Sequence, residues 1–487
     1  MPEPQFENSY AALPEDFYAR VHPEKAPAPE LIRLNETLAE QLGLDLEWLK
    51  SDAGVAMLSG GKLPEGAQPV AMAYAGHQFG GWVPQLGDGR AHLIGELLDS
   101  KGIRFDLHLK GSGRTPFSRR GDGKAALGPV LREYIVSEWF AAMGIPATRS
   151  LAVVTTGELV SRETHLPGAV LARVAQSHIR VGTFQYFAGR DDSHAIRTLA
   201  DYMIERHFPE LQHEDGRYLK MFKEIASRQA RLIAQWMGVG FIHGVMNSDN
   251  MQLAGETIDF GPCAFMDAFR FDKVFSSIDR QGRYAWVRQP DIAQWNLARL
   301  AETVLPLFDA NQEKAISMAE EALGEFVNLF KHHYTDLFST KLGVREDASA
   351  DHLVETALEL MQEHHVDFTL FFRRLTQVAN GSDKHLLLEL FTDQVAAHRW
   401  LETWQQKWST RTDKNADLKA MQQVNPIYIP RNHRIESVIK QAYQGDFKAF
   451  HQLVDTLQSP CNEQPDRPDY EAAPEAYEEV RQTFCGT

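Results

Sequence analysis

Apolar and polar positions change rhythm along this chain, and each rhythm predicts a different kind of element. Residues 1 to about 70 are punctuated by prolines, as in Pro23-Glu-Lys-Ala-Pro-Ala-Pro29, before a helical pattern around Leu31 to Leu38. Short apolar runs between Gly-rich turns follow. Gln85 to Ile94 and the alternating Phe105-Asp-Leu-His-Leu-Lys110 read as strands. Gly128-Pro129 opens a helix in which Leu131, Tyr134, Ile135, Trp139, Phe140 and Met143 recur at helical spacing, and Gly144 and Pro146 end it. A further helix, about Tyr218 to Met237, stops at Gly238. Met251-Gln-Leu, Ala254-Gly-Glu and Thr257-Ile258 read as strand, turn, strand, and after about residue 295 the pattern turns to helical runs: Gln312 to His333, His352 to Glu363 and Lys384 to Lys407. From Ser459 the tail gains Pro, Asp and Glu. The order predicts an α+β protein with a small mixed lobe, a helical lobe and a helical appendage.

Composition narrows the class. A chain of 487 residues exceeds one usual core, and 43% hydrophobic with 24% charged residues is ordinary for a globular protein. No run of 18 apolar residues predicts a membrane span, and Met1-Pro-Glu-Pro-Gln-Phe-Glu-Asn8 lacks the layout of a signal peptide, so a cytoplasmic location is expected. The net charge of −16 argues against generic nucleic-acid binding. Charge is uneven, however: Lys110, Arg114, Arg119, Arg120, Lys124 and Arg132 stand against one acid, Asp122, among five glycines. A Gly-rich basic island in an acidic chain points to a phosphate site. The three cysteines, Cys263, Cys461 and Cys485, are too few for a disulfide scaffold and lack metal-ligand spacing.

The most informative segment is His243-Gly-Val-Met-Asn-Ser-Asp249-Asn250, followed by Asp259-Phe260-Gly261. It follows a protein-kinase catalytic segment with one part missing. Kinases place a base Asp five residues before a metal-binding Asn and follow with Asp-Phe-Gly, whose Asp holds Mg²⁺. Here that position is Val245, which cannot accept a proton, whereas the oxygen ligands Asn250 and Asp259 remain. Lys110 at a strand end and Glu133 on the next helix have the spacing of the kinase Lys–Glu ion pair, with Glu138 an alternative partner. Gly87-Asp-Gly89-Arg90 has glycines that admit close backbone approach to phosphate, and also the composition of a simple hairpin turn. Arg173 and Arg180, seven residues apart, read on their own as surface arginines, and His332-His333 and His364-His365 as solvated helix faces.

Taken together, Gln85-Leu-Gly-Asp-Gly-Arg90, Leu109-Lys-Gly-Ser-Gly-Arg-Thr-Pro-Phe-Ser-Arg-Arg-Gly-Asp-Gly-Lys124, His243 to Asn250 and Ile258-Asp-Phe-Gly-Pro-Cys-Ala-Phe-Met-Asp267 resemble the selenoprotein O family along essentially the whole chain. The resemblance implies a protein-kinase-like two-lobed fold: an N-terminal extension over 1–70, an N-lobe over 71–185, a C-lobe with the catalytic and metal-binding segment over 186–300, and a C-terminal helical region and flexible tail over 301–487. It implies a protein adenylyltransferase that binds ATP turned around relative to a kinase and passes AMP to hydroxyl side chains of proteins, with no nucleic-acid or membrane partner. Nucleotide contacts are implied for Gly87, Gly89, Arg90, Lys110, Asp122, Gly123, Arg173, Arg180 and Asp259. Asn250 and Asp259 are implied as ligands of Mg²⁺ or Mn²⁺, and Asp249 as proton acceptor. The family's terminal selenocysteine position is Cys485, which leaves at most a thiol role; a regulatory Cys263–Cys485 disulfide is expected, with Cys461 a competing partner. A phosphotransferase with another base and a non-catalytic nucleotide-binding scaffold are the alternative readings.

Overall fold

The structure, a computed structural model, describes residues 2–345 and 350–484. Its centre is an eight-stranded sheet whose pairings are all antiparallel. The strands are β1 (Tyr18–Arg20), β2 (Glu30–Leu34), β3 (Val70–Met72), β4 (Ala91–Leu98), β5 (Arg104–Lys110), β6 (Ala125–Ala126), β7 (Arg149–Ser161) and β8 (His165–Ala175). Their order is β1-β3-β4-β5-β8-β7-β2, with β6 on β8. The first 70 residues thus supply both edges of the sheet.

Alternation along the strands separates two cores. Ile94, Leu97, Leu107, Leu109, Val170, Ala172 and Val174 face a cluster with Leu38, Trp48, Leu49, Met57 and Leu58 from the N-terminal helices. Leu93 and Leu171, on the opposite face, join the large core. That core includes α1 (Leu127–Ala142), α2 (Val181–Ala188), α3 (Arg217–Gly238), α4 (Gln289–Phe308) and the C-terminal helices. Helix α1 is the keystone. It is buried on nearly every side, its Trp139 Nε1 donates to Tyr428 O at 2.8 Å, and Gly128 lies so close to Tyr443 that a Cβ there would meet the phenol oxygen at 2.4 Å. The long helices α3 and α5 (Gln312–Lys341) pack against each other. Among the described residues no helix is long and apolar enough to cross a membrane.

Several expected elements differ. The helical pattern around Leu31–Leu38 is β2 followed by a helix from Glu36, with Asn35 accepting from Leu38 N at 3.2 Å as N-cap. An isolated apolar stretch cannot distinguish a buried strand from a helix turn, and here pairing with β7 decides. The run Lys384–Lys407 is split, because Asp393 caps a new helix at Gln394–Ser409. The expected strand–turn–strand at 251–258 is not a hairpin either. Gln252 bridges Arg180, Thr257 pairs with Ala147, and the local two-stranded ladder instead joins Phe241–Ile242 to Ala264–Phe265. That ladder closes the base of the whole 243–263 loop and turns Asp249, Asn250 and Asp259 into one cleft.

Candidate nucleotide site

A cleft of about 870 Å³ opens between the sheet and the 245–262 segment, within the size range of small-molecule sites. Nine Lys and Arg residues line it against five carboxylates, which is a strong local reversal in a chain of net charge −16. Every nucleotide and metal residue expected from the sequence, Gly87, Gly89, Arg90, Lys110, Asp122, Gly123, Arg173, Arg180, Asn250 and Asp259, is on its wall, as are Glu133 and Asp249.

The floor is an ion cluster assembled by strand register. Lys110 ends β5, and its ammonium lies 2.6 Å from Glu133 Oε2 and 2.8 Å from Asp259 Oδ1. Glu138, the competing partner, is taken by Arg149 and Asn35. Arg173 on β8 reaches Glu133 Oε1 at 3.1 Å and Asp259 Oδ1 at 3.2 Å, and Arg180 at the start of α2 reaches Asp259 Oδ2 at 3.4 Å and the main-chain oxygen of Asp249 at 3.0 Å. The guanidinium of Arg180 also lies over the Tyr74 ring, 4.5 Å from its centroid. Reading these two arginines as surface residues is therefore overturned: their side chains are 2% and 3% exposed. Burial alone would raise the Asp259 pKa, but Lys110, Arg173 and Arg180 hold its carboxyl well below the usual range. Its backbone is left-handed, with φ 62°, an uncommon conformation for a non-Gly residue and one that aims the carboxylate back at the cations.

Asp249 is the opposite case. It is buried, its Oδ1 has no hydrogen-bond partner among the described residues, and its Oδ2 receives only a long bond from Gln78 Nε2 at 3.4 Å. Burial pushes its pKa up to about 6, with Arg180 opposing. Val245, at the kinase base position, offers only its carbonyl, which accepts from Asn250 Nδ2 at 3.0 Å. That bond leaves Asn250 Oδ1 as the amide's donor atom for a cation.

The glycines on the cleft wall also meet packing demands of their own. Gly87 has φ 84° and packs on Phe117, where a Cβ would meet the ring at 2.3 Å, and at Gly89 a Cβ would meet Phe117 O at 2.9 Å. Thr115 Oγ1 donates to Asp88 O at 2.6 Å and Ser118 Oγ to Gly89 O, so the 115–118 turn holds the loop and presents Arg90 to the cleft. Gly123, φ 72°, approaches the Gly113 carbonyl carbon so closely that a Cβ would lie 2.2 Å away. Asp122 beside it is gripped by Arg162 at 2.8 Å and by Lys124 N at 3.0 Å; burial works against ionisation there, but Arg162 holds the carboxyl below its ordinary range.

Among the described residues no group of three or more His, Cys, Asp or Glu side chains forms a metal cage. Mg²⁺ needs none, since it commonly takes one or two protein oxygens and completes its shell with phosphate and water. Asn250 Oδ1 and the Asp259 carboxylate line one cleft and are hard oxygen donors of the kind that suits Mg²⁺ or Mn²⁺. Of the cysteines, Cys263 is buried, its thiol donates to Phe260 O at 3.1 Å, and burial pushes its pKa up to about 12. Cys485 lies outside the described residues, and with it the expected disulfide. The sequence reading did not single out Gln78, Asp88, His108, Asn247 or Arg162, although each meets a residue of this site.

Comparison with known proteins gives the same identity. The family description "Protein adenylyltransferase SelO" matches residues 2–458. Similar chains include a "Protein nucleotidyltransferase YdiU" of Rhizobium meliloti (strain 1021), 55% identical over 487 residues and 99% of both chains. Proteins of the same name from Rhodopseudomonas palustris (strain BisB5) and Agrobacterium fabrum (strain C58) are each 54% identical over 486 residues, covering 99% of this chain and 99% and 100% of theirs. The chain is an enzyme of the nucleotidyltransferase class, and it belongs to the protein adenylyltransferase SelO family.

Proposed function

We propose that this enzyme transfers AMP from ATP to Ser, Thr or Tyr hydroxyls of proteins and releases pyrophosphate, within a kinase-like two-lobed frame that holds ATP in the reverse orientation. The observation that carries this reading is the division of labour between two carboxylates on the cleft: Asp259 is ionised and locked among three cations, whereas Asp249 is buried with one oxygen unpartnered and its pKa pushed up to about 6. Two carboxyl groups with pKa values driven apart by their surroundings suit separate electrostatic and proton-transfer roles.

In this reading the β- and γ-phosphates lie deepest, against Lys110, Arg173 and Arg180, and the basic 114–124 loop closes over them. The α-phosphorus then faces the outer part of the cleft. The acceptor hydroxyl gives its proton to Asp249, its oxygen forms a bond to the α-phosphorus, and the bond from that phosphorus to the bridging oxygen of pyrophosphate breaks. The buried arginines and Lys110 neutralise the charge that accumulates on the departing pyrophosphate. Asn250 and Asp259 would hold Mg²⁺ or Mn²⁺, which supplies Lewis-acid stabilisation of phosphate charge when bound. Asp249 serves where Val245 has no proton-accepting group.

The test is which phosphorus moves. Label from [α-³²P]ATP is expected in protein, and label from [γ-³²P]ATP is not. Transfer of γ-label alone would establish a phosphotransferase, and tight ATP binding with neither label transferred a non-catalytic scaffold.

A further inference from the structure

The Asp of the Gly87-Asp-Gly89 loop and a histidine of β5 have no part in the chemistry above, yet both are almost wholly buried beneath the phosphate end of the cleft. His108 is the cross-strand register partner of Arg173, which puts the two side chains on the same face of the sheet. The Arg173 guanidinium lies 3.2 Å from His108 Nδ1, and His108 Nε2 lies 3.1 Å from Asp88 Oδ2. A guanidinium can only donate, so Nδ1 accepts, and the imidazole is neutral with its proton on Nε2, donated to Asp88. Burial lowers the His108 pKa, in agreement with a neutral ring. Asp88 is anchored in turn by Met72 N at 3.1 Å, and its other oxygen faces Arg180 at 3.8 Å. His178 stacks on the imidazole at 4.2 Å between centroids and is itself held by Asp106 at 2.9 Å. The ring can therefore neither tilt nor flip without breaking this set.

We propose that the Asp88–His108 pair is a positioning device that sets the spacing and aim of Arg173 and Arg180 for the terminal phosphates of the nucleotide. His108 orients Arg173 through a neutral acceptor, and Asp88 faces Arg180 while fixing the histidine tautomer. Glu133 and Asp259 already face Nη1 of Arg173, so a neutral imidazole at Nη2 orients the guanidinium without adding a third carboxylate against it. The proposal rests on the reading that these arginines grip phosphate.

The experiment compares His108→Leu, His108→Gln, Arg173→Ala and the double variant His108→Leu/Arg173→Ala in the full chain. It measures affinity for ATP and adenosine with Mg²⁺, and the thermal midpoint. His108→Leu is expected to weaken ATP by about tenfold or more with little change for adenosine, since a charge-assisted contact is misaligned. His108→Gln, which offers an acceptor and a donor in one side chain, should retain ATP affinity to within about threefold. In the double variant the His108 change should add little to Arg173→Ala. Equal loss for ATP and adenosine, no rescue by Gln at an unchanged midpoint, or additivity of the two changes would each overturn the proposal. If His108→Leu does not fold, His108→Gln and Arg173→Ala still decide, since His108→Gln alone must then preserve the ATP-over-adenosine preference that Arg173→Ala destroys. Should Arg173→Ala leave that preference intact, the phosphate reading falls and the positioning role with it; should it abolish the preference while His108→Leu does not, only the positioning role falls.

Discussion

Replacing Asp249 with Asn should make the protein more stable and far less active, and both magnitudes follow from one geometry. The carboxylate is 7% exposed and carries an oxygen without a partner, and burial raises its pKa from 3.8 to about 6. The native carboxyl keeps its proton up to about pH 6, whereas an unfolded one releases it near pH 4. The native state therefore binds more protons across that window, stability falls as pH rises through it, and the whole penalty stands at pH 7. About two pKa units correspond to ~3 kcal/mol, an upper bound because the group borders an open cleft. Asp249→Asn should thus gain about 1–3 kcal/mol at neutral pH, read from denaturant or thermal midpoints. Loss of a general base should lower the transfer rate by about 10²–10⁴, read in single turnover with [α-³²P]ATP. Nucleotide affinity should hold within about threefold, because Arg180 contacts the Asp249 main-chain oxygen, which the substitution leaves in place. A destabilised variant, or one that loses ATP affinity as much as rate, would refute the assignment of Asp249 as a strained base and make it part of the nucleotide clamp.

Other outcomes follow from the same geometry. Asp259→Ala should abolish transfer and weaken metal-dependent ATP binding, because it removes the carboxylate that three cations share; retained activity in the transfer assay would exclude it as a metal ligand. Arg180→Ala should weaken ATP by about 10- to 150-fold, at roughly 1.5–3 kcal/mol per charge-assisted contact, and adenosine hardly at all, as measured by calorimetry. Lys341 is buried, its ammonium donates to Asn425 Oδ1 at 2.8 Å, and burial pushes its pKa down to about 7. The unfolded chain therefore holds that proton at higher pH, and stability should rise from about pH 7 to 10 by up to about 1.4 kcal/mol per unit, a slope that Lys341→Met should remove in denaturation curves. Cys263, with its thiol pushed up to about 12 and fully buried, should resist thiol reagents at pH 8 until the protein unfolds, and for longer than the half-buried Cys461, as peptide mapping after timed alkylation would show.

Local patterns carried those elements whose signal is long and self-contained. Helix α1, read as Gly128 to Met143, spans Leu127–Ala142, and α3, read as Tyr218 to Met237, spans Arg217–Gly238, because an apolar stripe over four or more turns fits one period only. Short segments were decided by partners far away in the chain. Glu30–Leu34 is a strand because β7 offers it an edge 120 or so residues later. The loop from 251 to 258 has strand-like composition, but its backbone groups find Arg180 and Ala147 and not each other.

The site divides along the same line. Lys110, Glu133, Asn250 and Asp259 were legible because their chemistry lies in short motifs with fixed spacing, and the ambiguity between Glu133 and Glu138 needed only the direction of a helix face to resolve. Arg173 and Arg180 were not legible from spacing, because nothing local distinguishes a buried arginine from a surface one; Arg173 is buried because β8 lies between β5 and β7, Arg180 starts α2 and bridges Gln252, and Asp259 meets both from 86 and 79 residues away. One signal was present and went unused. In Phe105-Asp-Leu-His-Leu-Lys110 the polar residues Asp106, His108 and Lys110 fall on one face and Leu107 and Leu109 on the other, and the leucines join the N-terminal core. A strand buried on both faces yet polar along one must satisfy those polar groups internally, and the partners able to do so are charged side chains on neighbouring strands. That argument predicts a buried ionic layer on this face of β5, where Arg173 is found on the neighbouring strand and Asp88 and Asp259 are brought in from loops. Of the cations proposed to bind phosphate, Lys110 and Arg173 thus lie on two paired strands far apart in the chain, Arg180 stands at the start of α2, and no single motif contains all three.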